Sequence, residues 1–203
     1  MTNHRDPDSP VVLSRIYTRV GDDGSTALGD LSRTRKTDLR LAAYADVEEA
    51  NAAIGTALAL GGDIPDDVRA VLGRVQNELF DLGADLSRPV VPSDDTAEYP
   101  PLRVEPAYVE RLEADCDRYN ADLPTLRSFL LPGGTPAVAL MHTARVVVRR
   151  AERSAWAAIE AHGDTVNPLT ARYLNRLSDL LFVLCRVLAP HGTEVLWKPG
   201  GER

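Results

Sequence analysis

The sequence predicts an all-α protein built as a bundle of five helices. Apolar residues recur at three- and four-residue intervals along most of the 203-residue chain, which is the period of an amphipathic helix. Two segments open with a polar residue followed by proline, at Thr135-Pro136 and Asn167-Pro168, a typical helix start. No segment shows a convincing alternation of apolar and polar residues. Five helices without a strand pattern therefore predict an all-α bundle.

Each helix has its own boundary signals. The first is rich in Ala and Leu and ends at Gly61-Gly62, and the second begins at Pro65, because proline suits a first helical turn. The predicted spans are about 38–60, 65 to near 89, about 106–120, 135 towards 162, and 167 to just before 190. The apolar stripes of the fourth and fifth helices supply much of the predicted core.

A single domain over 15–190 accounts for the organised part of the chain. We expect a disordered N-terminal tail at 1–14, a C-terminal tail at 191–203 and a turn-rich segment at 16–36 before the first helix. Four prolines between 89 and 104 indicate a loop between helices rather than a linker between domains.

Composition excludes several classes of protein. The net charge of −7 argues against nucleic-acid binding, which depends on an excess of cationic contacts to phosphates. The first fifteen residues lack the apolar core of a signal peptide, and the apolar run from Leu180 to Cys185 is too short to span a bilayer. Cys116 and Cys185 lie far apart without a metal or redox motif. We expect a soluble cytoplasmic protein with reduced, buried thiols.

The fourth helix carries four arginines within nine residues. At 100° per residue, Arg145, Arg149 and Glu152 lie within about 60° of one another, and Arg150 and Arg153 flank them. Guanidinium groups match phosphate oxygens, and a carboxylate among them fixes their rotamers. The alternative is a solvated charged face with intrahelical ion pairs.

A second candidate is the turn-rich segment from Ile16 to Thr26. Gly21 and Gly24 stand among small hydroxyl residues there, so the backbone can approach a ligand closely, as in phosphate-binding turns. The segment lacks the Walker pattern, and an ordinary Asp-Gly turn is the alternative. Arg33, Arg35 and Lys36 add positive charge just before the first helix.

Polar residues also interrupt two apolar helices, at 44–51 and at 173–182. Asn175 and Asp179 share a helix face, where they would bind a ligand or hydrated Mg²⁺, or form an interhelical hydrogen-bonded pair. His142 has no acidic, Cys or His partner at metal spacing, which favours a surface or interface histidine over a metal ligand.

Four of these motifs, in this order, resemble the PduO-type ATP:cob(I)alamin adenosyltransferases. They are the Tyr-Thr-Arg-x-Gly-Asp-x-Gly turn, the Glu48-Glu49-x-Asn51 helix segment, Phe129-x-x-Pro-Gly-Gly through Arg-Arg-Ala-Glu-Arg, and Leu-Asn-Arg-Leu-Ser-Asp. The resemblance covers about 16–190. It implies an up-and-down, ferritin-like five-helix bundle that forms a homotrimer with its active sites between subunits.

The resemblance also implies the substrates and the site. The substrates are ATP and cob(I)alamin, with Mg²⁺ as cofactor, and a flavoprotein reductase and an adenosylcobalamin-dependent mutase are the candidate protein partners. The ATP-binding residues it implies are Thr18, Arg19, Val20, Gly21, Ser25, Thr26, Lys36, Arg149, Arg150, Glu152, Arg153 and Asn175. Asn175 and Asp179 are the candidate metal residues. Glu48 and Arg145 fall where the family places an intersubunit pair.

By the same resemblance, Phe129 occupies the lower axial face of cobalt, and Trp197 is a candidate cover for the corrin ring. The implied reaction transfers the 5′-deoxyadenosyl group of ATP to cobalt and releases triphosphate. The chain departs from the usual pattern at Ala45, Glu48 and Ala50 in the first helix, and at Val20 and Asp23 in the turn. Two alternatives remain: a non-catalytic corrinoid and ATP delivery module, and a structural bundle whose arginines bind acidic partners.

Overall fold

The computed structural model describes residue 17 and residues 19–201, and within them it is built mainly from five α-helices. Their bounds are α1 Leu39–Leu60, α2 Asp66–Ser87, α3 Pro106–Asn120, α4 Pro136–His162 and α5 Leu169–Leu188. Single 3₁₀ turns at Asp94–Thr96 and Gly163–Thr165 complete the helical structure. The predicted bundle and all five helix positions are confirmed. The predicted tail at 1–14 lies outside the described residues.

A small antiparallel hairpin precedes the bundle, and the sequence analysis missed it. Strand β1, Ser25–Ala27, pairs with β2, Arg33–Arg35, so that Thr26 faces Thr34. Each strand has only three residues. Alternation cannot be recognised over so short a stretch, which is why the segment gave only turn signals.

Local signals fix where the helices begin. The Thr135 hydroxyl accepts a hydrogen bond from the Val138 amide at 3.4 Å, and Pro136 fills the first helical position of α4. Asp38 caps α1 by accepting from the Arg40 amide at 2.8 Å. These caps satisfy amide groups that have no partner inside the helix.

The core lies where α1, α4 and α5 pack together, with α2 against α1 and α3 against α5. Short side chains let α1 and α4 approach closely, since most of the buried residues of both helices are Ala or Val. The predicted stripes of α2, α4 and α5 are buried, except that Ile159 and Leu188 are only partly so. Among the described helices, none is both long enough and apolar enough to cross a membrane.

The proline-rich loop is held to the bundle by the buried Asp85 carboxylate. It accepts hydrogen bonds from Arg103 at 2.7 Å, from the Val104 amide at 2.8 Å and from Asn167 at 2.7 Å. A buried carboxylate is tolerated only when its lone pairs are satisfied. Asp85 therefore fixes the 89–104 loop and the start of α5 relative to the end of α2.

Candidate functional site

The arginine face of α4 is exposed in the folded chain. A depression of about 450 Å³ is lined by Val146, Arg149, Arg150, Glu152 and Arg153. Arg149 and Arg153 are exposed, and in the part of the chain that the structure describes no hydrogen bond or ion pair engages either guanidinium. Two uncommitted guanidinium groups one helical turn apart form an anion-binding surface.

Arg150 lines the same depression, but its guanidinium reaches towards α1. It pairs with Glu49 and lies 3.5 Å from the Asp46 carboxylate, which also accepts a 2.5 Å hydrogen bond from Ser154. These acidic partners raise the pKa of the Arg150 guanidinium, and the hydrogen bond that it donates to Glu49 has the largest effect. Arg150 therefore ties α4 to α1 at the edge of the depression.

Asn175 and Asp179 make separate contacts, although both lie on α5. The Asn175 amide donates to Glu152 at 2.8 Å, across to α4. Asp179 instead accepts from Arg176 at 2.5 Å, and Arg176 also reaches Glu113 on α3 at 3.1 Å. No cluster of three His, Cys, Asp or Glu side chains suited to a metal occurs among the described residues. Asn175 thus joins the arginine face, whereas Asp179 faces α3.

The glycine turn brings Lys36 close to Gly21. A Cβ on Gly21 would lie 3.1 Å from Lys36 Nζ and 3.0 Å from the Ser25 carbonyl oxygen, so only glycine leaves this space open. The Lys36 amide donates to the Gly24 carbonyl at 2.9 Å and closes the turn. Val20 and Arg19 are exposed at its start. Thr18, a predicted ATP ligand, lies outside the described residues.

Asp23, where the chain departs from the usual family pattern, shapes this turn. Its carboxylate accepts from the Ser25 amide at 2.9 Å and from the Ser25 hydroxyl at 2.7 Å, and these bonds hold its pKa below the ordinary value of 3.8. Arg33 donates to the Ser25 hydroxyl and to the Val20 carbonyl. The Ser25 hydroxyl is therefore already engaged within the turn.

The turn and the arginine face are separate surfaces in one chain. The depression beside Lys36 is lined by Thr26 and by α1 residues 41, 42, 44 and 45, whereas the arginine depression is lined by α4 alone. Among the described residues, no hydrogen bond or ion pair joins the turn to Arg149, Glu152 or Arg153. A single chain thus presents the turn and the arginine face as two separate surfaces.

Phe129 lies on a two-stranded ribbon formed with the C-terminal segment. The Trp197 amide donates to the Phe129 carbonyl at 2.7 Å, and the Leu131 amide donates to the Val195 carbonyl at 2.8 Å. The Phe129 and Trp197 rings lie 6.1 Å apart, and Phe129 is 77% exposed. An aromatic ring held this far into solvent by a hydrogen-bonded ribbon is unusual for a packing residue, so the ring is available to a ligand.

Arg145 and Glu48 do not meet within the chain. The Arg145 guanidinium lies 5.8 Å from the Phe182 ring centroid on the α5 side of α4. Glu48 is exposed on α1 and lines a groove between α1 and α2. Arg145 Nε is buried without a hydrogen-bond partner among the described residues. The two side chains therefore meet only if a second copy of the chain supplies one of them.

The groove beside Glu48 was not found from the sequence. It has a volume of about 600 Å³, its walls are mainly apolar, and Phe80 on α2 projects beside it with 74% of its surface exposed. A signal was present, because Phe80 falls outside the buried stripe that includes Leu79 and Leu82. A large aromatic residue on the polar side of an amphipathic helix marks a contact surface.

The expectation that His142 lies at a surface or interface is wrong for the isolated chain. The side chain is only 5% exposed and lines a pocket behind the Phe129 ribbon. On a helical wheel His142 shares the outward face of Arg149, but the ribbon covers the first turns of α4. Tertiary packing, which the wheel does not include, buries it.

Comparisons with known proteins all match the chain to adenosyltransferases. Residues 16–188 match the family model described as cobalamin adenosyltransferase. A corrinoid adenosyltransferase of Mycobacterium tuberculosis is 62% identical over 194 residues, which cover 95% of this chain and 97% of that protein. A corrinoid adenosyltransferase of Bacillus subtilis is 38% identical and covers 86% of each chain.

Solved structures agree in fold. A phenylalanine-to-alanine variant of a PduO-type ATP:corrinoid adenosyltransferase from Lactobacillus reuteri, complexed with cobalamin and ATP, superposes with a TM-score of 0.77 at 32% identity, covering 91% of this chain and 99% of that one. An arginine-to-lysine variant of the same type, complexed with ATP, gives 0.75 at 30% identity and covers 90% and 100%.

Proposed function

This chain belongs to the cobalamin adenosyltransferase family, and on that premise we propose that it transfers the 5′-deoxyadenosyl group of ATP to the cobalt of cob(I)alamin. The observation that carries the proposal is the arginine face of α4, where Arg149 and Arg153 are exposed and uncommitted within the described residues, and where Asn175 fixes Glu152. Such a surface suits the triphosphate of ATP.

The two phosphate-binding halves meet between subunits. The turn around Gly21 and Lys36 faces α1, and the arginine depression opens on α4, so neither closes over a nucleotide alone. In a homotrimer, each turn lies against the α4 of a neighbouring chain, and Ser25, Thr26 and Lys36 approach the triphosphate from the side opposite Arg149. Positive charge from the two chains then flanks the triphosphate, which is the leaving group.

Glu48 and Arg145 fix the register of the same interface. When Glu48 of one chain binds Arg145 of the next, the apolar groove beside Glu48 comes to lie near Phe182, because Arg145 stacks on that ring. Phe80, which is exposed in the isolated chain, is then covered. An apolar chamber between α1 and α2 of one chain and Phe182 of the next suits the flat corrin ring.

Phe129 and Trp197 provide the aromatic surface next to this chamber. With the Phe129 ring against the lower face of cobalt, the lower axial ligand is excluded and cob(II)alamin becomes easier to reduce. The hydrogen-bonded ribbon between residues 129–131 and 195–197 holds both rings in place during this step. The rigid backbone underneath the ring matters because a displaced ring would readmit the axial ligand or water.

Glu152 and Asn175 are the protein groups that suit Mg²⁺. The ion usually takes one or two protein oxygens together with substrate phosphates and waters, so a larger cluster of protein ligands is not required. The Asn175 amide donates to Glu152 at 2.8 Å, and Glu152 lines the same depression as Arg149. Asp179 is held by Arg176 on the α3 side and is the weaker candidate. Bound Mg²⁺ would neutralise part of the triphosphate charge.

The reaction forms one bond and breaks one. The cobalt lone pair of cob(I)alamin forms the Co–C5′ bond, while the C5′–O bond of ATP breaks and its electrons leave with triphosphate. No proton is transferred, so a general base is unnecessary. The protein aligns the reacting atoms, excludes water and stabilises the departing charge through Arg149, Arg153 and Lys36.

An anaerobic assay tests the proposal. Purified protein, ATP, Mg²⁺ and chemically reduced cob(I)alamin should give the absorption spectrum of adenosylcobalamin together with one triphosphate per turnover. Binding of ATP and corrinoid without product would instead indicate the delivery module. The absence of any ATP-dependent rise in melting temperature would overturn both assignments.

A further inference from the structure

Behind the Phe129 ribbon lies a pocket that the proposed reaction does not use. Its volume is about 300 Å³, and its walls are mainly apolar. The lining includes Leu131 and Val195 from the ribbon, Gly134 before α4, His142 within α4 and Cys185 near the end of α5. Leu131 and Val195 are each two positions along the ribbon from a ring of the Phe129–Trp197 pair. The pocket is thus beside the aromatic pair.

His142 is the anomaly in this pocket. It is 5% exposed, its Nδ1 is fully buried without a partner, and no hydrogen bond to either ring nitrogen occurs within the described residues. A buried polar group without a partner loses its hydration without compensation, so native structures rarely keep one without a purpose. Burial, and then the charge of Arg145, lower the pKa of His142 and keep the imidazole neutral.

A neutral imidazole offers one N–H donor and one acceptor nitrogen. Because the two nitrogens point in divergent directions and Nδ1 is fully buried, a ligand in the pocket can bond only one of them. A primary carboxamide, which carries both a carbonyl acceptor and an N–H₂ donor, suits that nitrogen in either tautomer. A charged carboxylate is a poorer match, because the walls are apolar and Glu194 also lines the pocket. Corrinoids carry primary acetamide and propionamide side chains around the ring, so the ligand held next to Phe129 supplies the required group.

We propose that the pocket lined by His142, Leu131 and Val195 is a subsite that binds one peripheral carboxamide side chain of the corrinoid, with His142 as its hydrogen-bonding partner. This inference rests on the proposed function. A carboxamide inserted behind the ribbon fixes the rotation of the corrin ring about the cobalt, so that the lower face remains on Phe129. His142 is thus a specificity-determining residue in an apolar pocket.

Direct binding of cob(II)alamin in the presence of ATP, followed by its visible and EPR spectra, tests the subsite. His142→Phe should raise the Kd about 3- to 12-fold, which corresponds to the loss of one buried hydrogen bond. His142→Asn, which keeps a donor and an acceptor, should recover part of the affinity. His191→Phe makes the same change at an exposed histidine and should leave the Kd unchanged. ATP binding should be unaffected in all three.

Cobalamins in which a single propionamide has been hydrolysed to a carboxylate provide a second arm. Wild type should reject one of the monocarboxylates, and His142→Phe should lose that discrimination. If His142→Phe binds cob(II)alamin as well as wild type does, or if wild type accepts all the monocarboxylates equally, the pocket holds only water and the proposal is wrong. If wild type makes no adenosylcobalamin at all, the proposed function fails instead, because corrinoid binding is measured separately.

Discussion

Arg150 and Arg149 are neighbours in sequence, but their side chains leave α4 in different directions. Arg150 is bound to Glu49 and lies 3.5 Å from Asp46 on α1, whereas Arg149 is exposed beside Glu152 and Arg153. A step of 100° along the helix separates them. Of the two, Arg149 is available to bind a ligand, whereas Arg150 stabilises the packing of α4 against α1.

The first prediction follows from that division. Arg149→Ala should raise the KM for ATP about 10- to 100-fold, because a charge-assisted hydrogen bond contributes roughly 1.5–3 kcal/mol, and it should leave the melting temperature nearly unchanged. Arg150→Ala should raise the KM less and lower the melting temperature more. Steady-state kinetics and thermal unfolding of both variants check this. A larger rise in KM for Arg150→Ala would contradict the assignment.

The second prediction concerns Phe129. Phe129→Ala should strongly slow adenosylation that starts from cob(II)alamin, while ATP binding and the melting temperature stay close to wild type, because the ring is exposed and contributes little to the core. Trp197→Ala removes the ring beside it and should give a smaller defect. The measurements are single-turnover rates and ATP-induced thermal shifts. If Phe129→Ala chiefly lost thermal stability, a packing role would be indicated.

The third prediction tests the intersubunit pair. Glu48→Arg and Arg145→Glu should each weaken the trimer, because each places like charges together at the interface. The double variant restores opposite charges and should recover assembly, at least in part. Sedimentation velocity at several protein concentrations measures the oligomer directly. A trimer that persists in both single variants would show that this pair does not determine the interface.

The fourth prediction is a pH dependence at Asp38, which caps α1 and bonds His162 at 2.8 Å. Burial raises the pKa of this carboxyl, but hydrogen bonds from the Arg40 amide, Thr34 and His162 outweigh it, so the pKa lies below 3.8. A lowered pKa means that ionised Asp38 stabilises the fold above about pH 4 and that this stability is lost as the pH falls through the lowered value.

Asp38→Asn keeps a good helix cap but removes the charge. It should lower the melting temperature by about 2–4 °C at pH 7, the change that corresponds to roughly 1 kcal/mol in a chain of this size, and by much less near pH 3. Thermal unfolding of both proteins between pH 3 and pH 7 measures the difference. Curves that stay parallel over this range would show that the charge of Asp38 does not contribute.

The fifth prediction concerns Asp23, where the family usually has lysine. The Ser25 amide and hydroxyl both donate to this carboxylate, so Asp23→Lys adds a cation but removes the contacts that shape the turn. We expect ATP affinity not to improve. ATP titration of Asp23→Lys and Asp23→Asn beside wild type separates charge from geometry, because asparagine keeps an acceptor. A gain in affinity for lysine alone would mean that charge dominates.

Much of the architecture was predictable because its signals are local. Thr135, Pro136 and Gly163 mark the two ends of α4 in the sequence, and the structure places the helix at Pro136–His162. The arginine face also followed from helical geometry. The direction of Arg150 did not, because the wheel cannot show which acidic residues α1 presents to it.

Features that depend on distant segments were missed. His142 was assigned to a surface or interface because the sequence gives it no partner at metal spacing, whereas in the folded chain the ribbon between residues 129–131 and 195–197 helps to bury it. The groove beside Phe80 depends on the packing of α1 against α2. Strands of three residues are too short to show a period. In each case, the sequence does not show which distant segments of the chain pack against one another.

Helix α4 runs without interruption from Pro136 to His162 and, in the proposed site, carries groups for both substrates. From Arg145, which stacks on Phe182, to Arg153 in the phosphate depression, the rise is about 12 Å at 1.5 Å per residue. In the proposed site, the helix therefore fixes the distance between the corrin ring and the triphosphate. An inserted or deleted residue between these positions would also turn every later side chain by about 100°. This stretch should accept substitutions far more readily than changes in length.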